Sequence, residues 1–155
     1  MTKICIFGAG SIGGYIAASL SRTNAEISLV ARGPHKKAIE EKGLTFIKNG
    51  KSENFKFKIT DDPKKLDIQD YIFISIKAHS ISIIADSLSP IINDRTSIIS
   101  AVNGLPWWYF YEANTGTDLD NKFIETVDPN GKIWNTFNPK KAIGCVVYPA
   151  CEIIE

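Results

Sequence analysis

The sequence predicts an α/β fold in which helices cover both faces of a doubly wound, mostly parallel sheet. Three observations predict it: short, continuous apolar runs, helical segments between them, and a glycine-rich turn after the first run. Apolar runs without polar alternation are typical of strands that are buried on both faces. Alternation of such strands with helices favours a parallel sheet whose crossover connections are the helices.

Length and composition predict a single globular domain over residues 1–155. Hydrophobic residues make up 44% and charged residues 23%, which is enough apolar material for one core. The net charge of +1 indicates no nucleic-acid partner and no anionic membrane surface. No apolar run approaches the roughly 18 residues of a membrane span. Three cysteines without a CxxC pair indicate a reducing, cytoplasmic setting and no metal site.

The first third of the chain alternates strand and helix signals. A strand is predicted over 4–7, followed by a helix over 11–21 whose apolar residues recur every four positions. A second strand is predicted over 27–31 and a second helix over 34–42. Gly43 follows that helix and is a typical helix terminator.

The middle of the chain predicts a hairpin before the parallel pattern resumes. Its strands are predicted over 44–47 and 55–59, on either side of the turn residues 49–51. The later elements are a strand over 71–76, a helix over 79–88, a strand over 97–102, a helix over 107–112 that starts at Pro106, and a last strand over 142–148.

Residues 113–141 are polar and rich in turns, with the clearest turn at 128–131. So long a segment without periodicity is uncommon in a compact domain. We therefore expect unrecognised strand pairing or a functional excursion there, and its role stays open.

The motif Gly8-Ala9-Gly10-Ser11-Ile12-Gly13 is a GxGxxG placed between the first strand and the first helix. In a dinucleotide site the first glycine permits a tight turn, the second lets the pyrophosphate approach the backbone, and the third allows close helix–strand contact. The helix start offers unpaired N–H groups to the phosphates. The motif predicts a Rossmann-type dinucleotide site, and the alternative is a tight turn without a ligand.

Arg32 favours NADP(H) over NAD(H). An NAD site usually carries Asp or Glu at the end of the second strand, whereas this strand ends at Arg32 and Glu26 lies at its opposite end. A guanidinium pairs well with a 2′-phosphate, and Lys36 and Lys37 add positive potential. The alternative is a solvated arginine at a strand end.

Two polar residues follow later strands at the edge where ligands bind in such sheets. Lys77 precedes a helix, where a cation opposes the helix dipole, so its placement indicates contact with cofactor or substrate. Asn103, beside Gly104, can bridge the nicotinamide ribose and a polar substrate. The alternatives are a surface lysine and an ordinary turn. His35 and His79 are expected to be surface or capping residues.

Residues 107–111 are five successive aromatics, which would cover every side of a helix. One small core cannot hide them all. We therefore expect some of them to meet a second domain, a second copy of the chain or a substrate, and core packing is the alternative.

Four segments carry a recognisable signature: 3–14 (KICIFGAGSIGG), 29–33 (LVARG), 75–78 (SIKA) and 102–104 (VNG). Together they resemble the ketopantoate reductase (2-dehydropantoate 2-reductase) family, in register across nearly the whole chain. The segments 103–108 and 143–150 resemble one branch of that family.

The resemblance implies an NADP-dependent oxidoreductase of pantothenate biosynthesis that transfers a hydride from NADPH to a small 2-oxo acid. It implies that the glycine loop holds the pyrophosphate and Arg32 the 2′-phosphate. Asn103 would position substrate and nicotinamide, with Lys77 beside it. The implied cofactor contacts are Gly8, Ala9, Gly10, Ser11, Ile12, Gly13, Arg32, Lys77, Asn103 and Ala150.

The family also has a second, helical domain that carries a proton-donating lysine, and we expect this chain to end before that domain. The chain is then the cofactor-binding half of a reductase, inactive by itself because the acid is absent. The alternative is a non-catalytic NADP(H)-binding sensor or scaffold module. The true substrate and the oligomeric state stay open, although the missing domain or a second copy would pack on residues 107–111.

Overall fold

The computed structural model describes residues 1–154, and the last residue of the predicted domain, Glu155, lies outside them. The strands are β1 (Lys3–Phe7), β2 (Glu26–Val30), β3 (Leu44–Lys48), β4 (Lys51–Phe55), β5 (Lys58–Thr60), β6 (Tyr71–Ile74), β7 (Ser97–Ser100) and β8 (Ala142–Ile143). A six-stranded parallel sheet forms the centre, in the order β5-β2-β1-β6-β7-β8, and β3 and β4 form a separate pair.

Helices cover both faces of this sheet, which confirms the predicted doubly wound α/β fold. The side chains of β1 alternate between the two faces: Ile4 and Ile6 join one core and Cys5 the other. The helices are α1 (Ser11–Leu20), α2 (Gly33–Lys42), α3 (Ile81–Leu88) and α4 (Lys132–Phe137). Of these, α1 and α2 pack on the first face, and α3 and α4 on the second.

The hairpin exists, but its second strand is β4, so the prediction of a strand over 55–59 is wrong. Asn49 and Gly50 both have positive φ, at 52° and 73°, and Lys48 pairs directly with Lys51 across them. Two central residues of positive φ form the tight turn that joins adjacent strands. The pairing therefore starts at once at Lys51, and β5 is left free to extend the parallel sheet beside β2.

The predicted helix over 107–112 is wrong, because this segment forms turns. Isolated backbone bonds join Tyr109 N–H to Pro106 and Tyr111 N–H to Trp108, and Glu112 has a φ of 49°. Trp107 is only 2% exposed in the α3–α4 core, whereas Tyr109 is 52% exposed. The turns direct Trp107 into the core and leave Tyr109 on the surface, whereas Trp108, Phe110 and Tyr111 are half-buried.

The segment 113–141 contains α4, which the sequence pattern did not predict. The buried Asp128 carboxylate accepts N–H groups of Ile133 at 2.7 Å and Trp134 at 2.8 Å, in the first turn of this short helix. These bonds satisfy donors that a helix start leaves free. Six residues are too few to show a helical period, which is why the sequence pattern did not predict α4.

The predicted last strand over 142–148 is wrong beyond Ile143. β8 pairs with Ile98 and Ile99 of β7, and β7 itself ends at Ser100. The later residues have no strand to pair with in the described part of the chain. Val146 and Tyr148 are 72% and 88% exposed.

The Cys5 thiol is expected to resist alkylation in the folded protein. It is wholly buried in β1, and burial raises the pKa of this thiol to about 12. At pH 8 only about one such thiol in ten thousand is ionised, and the thiolate is the reactive form. Mass spectrometry after iodoacetamide treatment should find label on Cys145 and Cys151, which are partly exposed, and on Cys5 only after denaturation. Equal labelling rates at all three cysteines would contradict the burial of Cys5.

Candidate functional site

A cleft of about 1030 Å³ lies at the carboxyl ends of the central strands, bounded by the loops that follow β1, β2, β5, β6 and β7. The strand order reverses direction between β1 and β6, because the chain first builds the β1-β2-β5 side and then returns to the other side of β1. In open α/β sheets ligands bind at such a switch point, where adjacent loops diverge and leave a crevice.

The glycine loop occupies the β1 wall of the cleft. Gly8 has a φ of 102°, and its N–H donates to Val30 O at 2.9 Å, so the turn starts directly at the strand end. A Cβ on Gly13 would lie 1.9 Å from Gly8 O, so only glycine permits this approach of α1 to the loop. A Cβ on Gly10 would meet nothing within 4 Å, which leaves that backbone open to a ligand.

The first turn of α1 presents free N–H groups to the cleft. Gly10, Ser11 and Ile12 line the cleft, and their N–H groups have no backbone acceptor among residues 1–154. No side chain caps the helix, and its first turn contains no acidic residue. The positive end of the helix dipole is therefore left for an anion.

Arg32 lies two residues after the end of β2, immediately before α2, and lines the cleft. Its side chain is exposed, and it forms no ion pair with any residue from 1 to 154. Lys36 is engaged by Glu40 and Asp61, each at 3.8 Å. Of the basic groups expected here, the Arg32 guanidinium is thus the one that faces the cleft without a partner.

Asp61 and Asp62 are acidic lining residues that the sequence analysis missed. They follow β5 directly, at the same edge of the sheet as Arg32. The Asp62 carboxylate accepts Lys64 N–H at 3.1 Å and caps a short 3-10 turn. The position of β5 beside β2 could have revealed them, had the hairpin been assigned correctly.

His35 is half-buried and lines the cleft, so the prediction of a surface or capping role is wrong for it. Its Nε2 lies 2.6 Å from Ala9 O in the glycine loop. His79 is exposed, in a single 3-10 turn over Ala78–Ser80. The local sequence offers no signal for the His35 contact, because the two residues are 26 positions apart.

Ser75 is a second residue that sequence analysis missed. It follows β6, and its hydroxyl donates to Gly8 O at 2.7 Å. This bond ties the glycine loop to the neighbouring strand across the switch point. The same Gly8 oxygen is the atom that excludes a side chain from position 13.

Lys77 and Asn103 both lie at the other end of the cleft and are exposed to it. They follow β6 and β7, which are adjacent strands, so the sheet brings them to the same edge. Lys77 forms no ion pair within residues 1–154. Ala150 is exposed and is not among the lining residues, whereas Val147 of the same segment is.

Neither a metal cluster nor a membrane helix is found in the described part of the chain. No group of three or more His, Cys, Asp or Glu side chains there could hold a metal ion. None of the helices in residues 1–154 has the length and apolar character needed to cross a membrane.

Comparison with known proteins identifies the relatives of this fold and cleft. Residues 4–106 match the family described as Ketopantoate reductase PanE/ApbA. The chain is 41% identical over 152 residues to a 2-dehydropantoate 2-reductase from Mesorhizobium japonicum, with 97% of this chain and 46% of the relative covered. It therefore spans about half the length of that relative.

Two solved structures are similar in fold. A candidate ketopantoate reductase from Ralstonia solanacearum superposes with a TM-score of 0.90 at 32% identity, over 100% of this chain and 47% of the other. A D-mandelate dehydrogenase solved with NADH and anilino(oxo)acetate superposes with a TM-score of 0.71 at 21% identity, over 92% of this chain and 40% of the other. At that identity the second likeness shows a common fold alone.

Proposed function

Because the chain belongs to the ketopantoate reductase family, we propose that residues 1–155 form an NADPH-binding domain of an enzyme that reduces a small 2-oxo acid to the 2-hydroxy acid. The observation that carries the proposal is one cleft with helix N–H groups on one wall and, on another, the Arg32 guanidinium, both without a partner among residues 1–154. These are the groups that a pyrophosphate and a 2′-phosphate require.

The residues of the cleft fit a dinucleotide. The open backbone at Gly10 gives a pyrophosphate room to approach, and the helix start supplies N–H donors without a competing carboxylate. Charge-assisted hydrogen bonds of this kind are the strong ones. We assign the pyrophosphate to this loop and the adenosine end to the wall that Arg32 forms.

The adenosine end favours the phosphorylated cofactor. An exposed guanidinium without an ion-pair partner can pair with a 2′-phosphate through two parallel N–H···O bonds. Asp61 lines the same cleft, but its carboxylate is held by Lys36 at 3.8 Å. That ion pair reduces the repulsion between the carboxylate and an incoming phosphate. Asp62, the other carboxylate of the cleft, accepts Lys64 N–H at 3.1 Å, so the support for NADPH comes from the Arg32 guanidinium and not from an excess of positive charge.

Lys77 and Asn103 are the groups we assign to the reacting end. NADPH supplies the hydride when it is bound. The Lys77 ammonium attracts the carboxylate of a 2-oxo acid, and the Asn103 amide both donates and accepts, so it can position the nicotinamide ribose and the substrate together. We expect the 155-residue chain to bind cofactor with little turnover, because we assign none of its residues to the role of the family's proton-donating lysine.

Isothermal titration of the 155-residue chain tests this function. We expect NADPH to bind about ten- to a hundredfold more tightly than NADH, since one charge-assisted contact contributes about 1.5–3 kcal/mol. Ligand binding should also raise the melting temperature. Absence of any NADPH binding at millimolar concentration would refute the proposed function. Adding 2-dehydropantoate then reports turnover through NADPH absorbance.

A further inference from the structure

We propose that His35 is a positioning residue for the pyrophosphate, acting through the Ala9–Gly10 peptide. This inference rests on the proposed NADPH function of the cleft. His35 is not placed to be a helix cap: it sits in the first turn of α2, and its ring reaches across to the glycine loop. The 2.6 Å contact joins Nε2 to a carbonyl oxygen, which only accepts. Nε2 therefore carries the hydrogen and donates it.

The bond determines which way the Ala9–Gly10 peptide faces. No peptide bond in residues 1–154 is cis, so the Ala9 C=O and the Gly10 N–H point in opposite directions. Holding the carbonyl on His35 keeps its partial negative charge away from the phosphates. The Gly10 N–H is then directed away from His35, and it has no acceptor within the described residues.

The loop needs such a restraint because of its own glycine. A flip of the Ala9–Gly10 peptide changes ψ of Ala9 and turns φ of Gly10, now −68°, to a positive value. Glycine adopts positive φ at no steric cost, whereas a residue with a Cβ would resist the change. The residue that lets the pyrophosphate approach thus also lets the peptide turn its oxygen toward it.

The other hydrogen bonds of the glycine loop hold the neighbouring peptides and not the Ala9–Gly10 peptide. The Gly8 oxygen is held by Ser75 at 2.7 Å, and the Gly10 oxygen by Gly14 N–H at 2.7 Å. These bonds fix the peptides on either side, and the Ala9 oxygen has His35 as its partner. The imidazole therefore completes the set of contacts that orient the loop.

The test compares two ligands on the 155-residue chain. NADPH contains the pyrophosphate, whereas adenosine 2′-monophosphate has the 2′-phosphate without it. We expect His35→Leu to weaken NADPH binding about five- to tenfold, as the loss of one oriented hydrogen bond implies, and to leave the adenosine 2′-monophosphate affinity unchanged. His35→Gln, which restores an N–H donor, should recover most of the NADPH affinity. His79→Leu is the matched control and should change neither.

Each other outcome overturns the inference. If His35→Leu binds NADPH as tightly as the unmodified chain, the loop does not need the restraint. If both ligands weaken equally, His35 acts on the adenosine end or on folding. If His35→Gln gives no recovery while its melting temperature is normal, the donated N–H is not the cause. All three results assume an unmodified chain that binds NADPH, so they are distinct from failure of the proposed function.

Discussion

Gly13→Ala is expected to lower the melting temperature by about 6 °C and to abolish measurable NADPH binding. The added Cβ would lie 1.9 Å from Gly8 O and 2.7 Å from Ser75 Oγ, so backbone must move. Overpacking costs about 1–3 kcal/mol, and a clash with backbone lies at the upper end, from which the preference of a helix for alanine subtracts roughly 1 kcal/mol. For a chain of this length each kcal/mol lowers the melting temperature by about 2–4 °C. Calorimetry and NADPH titration measure the two effects.

Gly14 provides the matched control on the same helix. A Cβ there would lie 3.3 Å from Leu44 Cδ1, the far end of a flexible side chain, and alanine favours helix over glycine by roughly 1 kcal/mol. Gly14→Ala should therefore leave stability within about 1 kcal/mol of the original. An equal loss in both variants would show that any side chain on this face of α1 is harmful, and the close approach at Gly13 would not be special.

Gly10→Ala separates binding from folding in the same loop. No atom lies within 4 Å of the added Cβ, and φ at this position is −68°, so the fold should tolerate alanine. The methyl group would occupy the open backbone that we assign to the pyrophosphate. We expect unchanged unfolding by denaturant and NADPH affinity reduced at least tenfold, as titration would measure. Unaltered affinity would place the pyrophosphate elsewhere.

The parts of the fold that sequence alone predicts are those with a local physical cause. Strand β1, the glycine loop and α1 follow one another, and the apolar run, the turn and the helical period each have a separate signal. Arg32 was predictable in the same way, because it closely follows a recognisable strand. Parallel pairing then places Lys77 and Asn103 at one edge without any contact having to be known.

The parts that were not predictable depend on distant residues or on short elements. The His35 contact joins residues 26 positions apart, and Ser75 reaches Gly8 across 67 positions. Helix α4 is only six residues long and depends on Asp128, which precedes it by a turn. The aromatic run 107–111 has high apolar content without a period, and only its first residue, Trp107, is a member of the buried core.

Arg32→Glu is expected to weaken NADPH binding by a hundredfold or more and to reverse the cofactor preference. The substitution removes a charge-assisted contact of about 1.5–3 kcal/mol and places a carboxylate where the 2′-phosphate would lie. NADH has hydroxyls at that position, and a carboxylate at the end of the second strand is what holds them in NAD sites. NADH affinity should therefore be retained or increased. Parallel titrations with both cofactors measure the ratio.

Arg22→Ser is the control for lost positive charge. Arg22 is an exposed arginine whose ion pair with Glu53 lies on the hairpin side of the molecule, and it does not line the cleft. Its removal should leave the ratio of NADPH affinity to NADH affinity unchanged. Higher salt should weaken NADPH binding more than NADH binding in the original chain, because screening acts on the exposed contact between Arg32 and the 2′-phosphate. This contact is absent in Arg32→Glu, so the extra loss of NADPH affinity at high salt should be smaller in that variant. A ratio that is equal in the original and Arg32→Glu chains would remove Arg32 from the site and, with it, the physical basis for preferring NADPH.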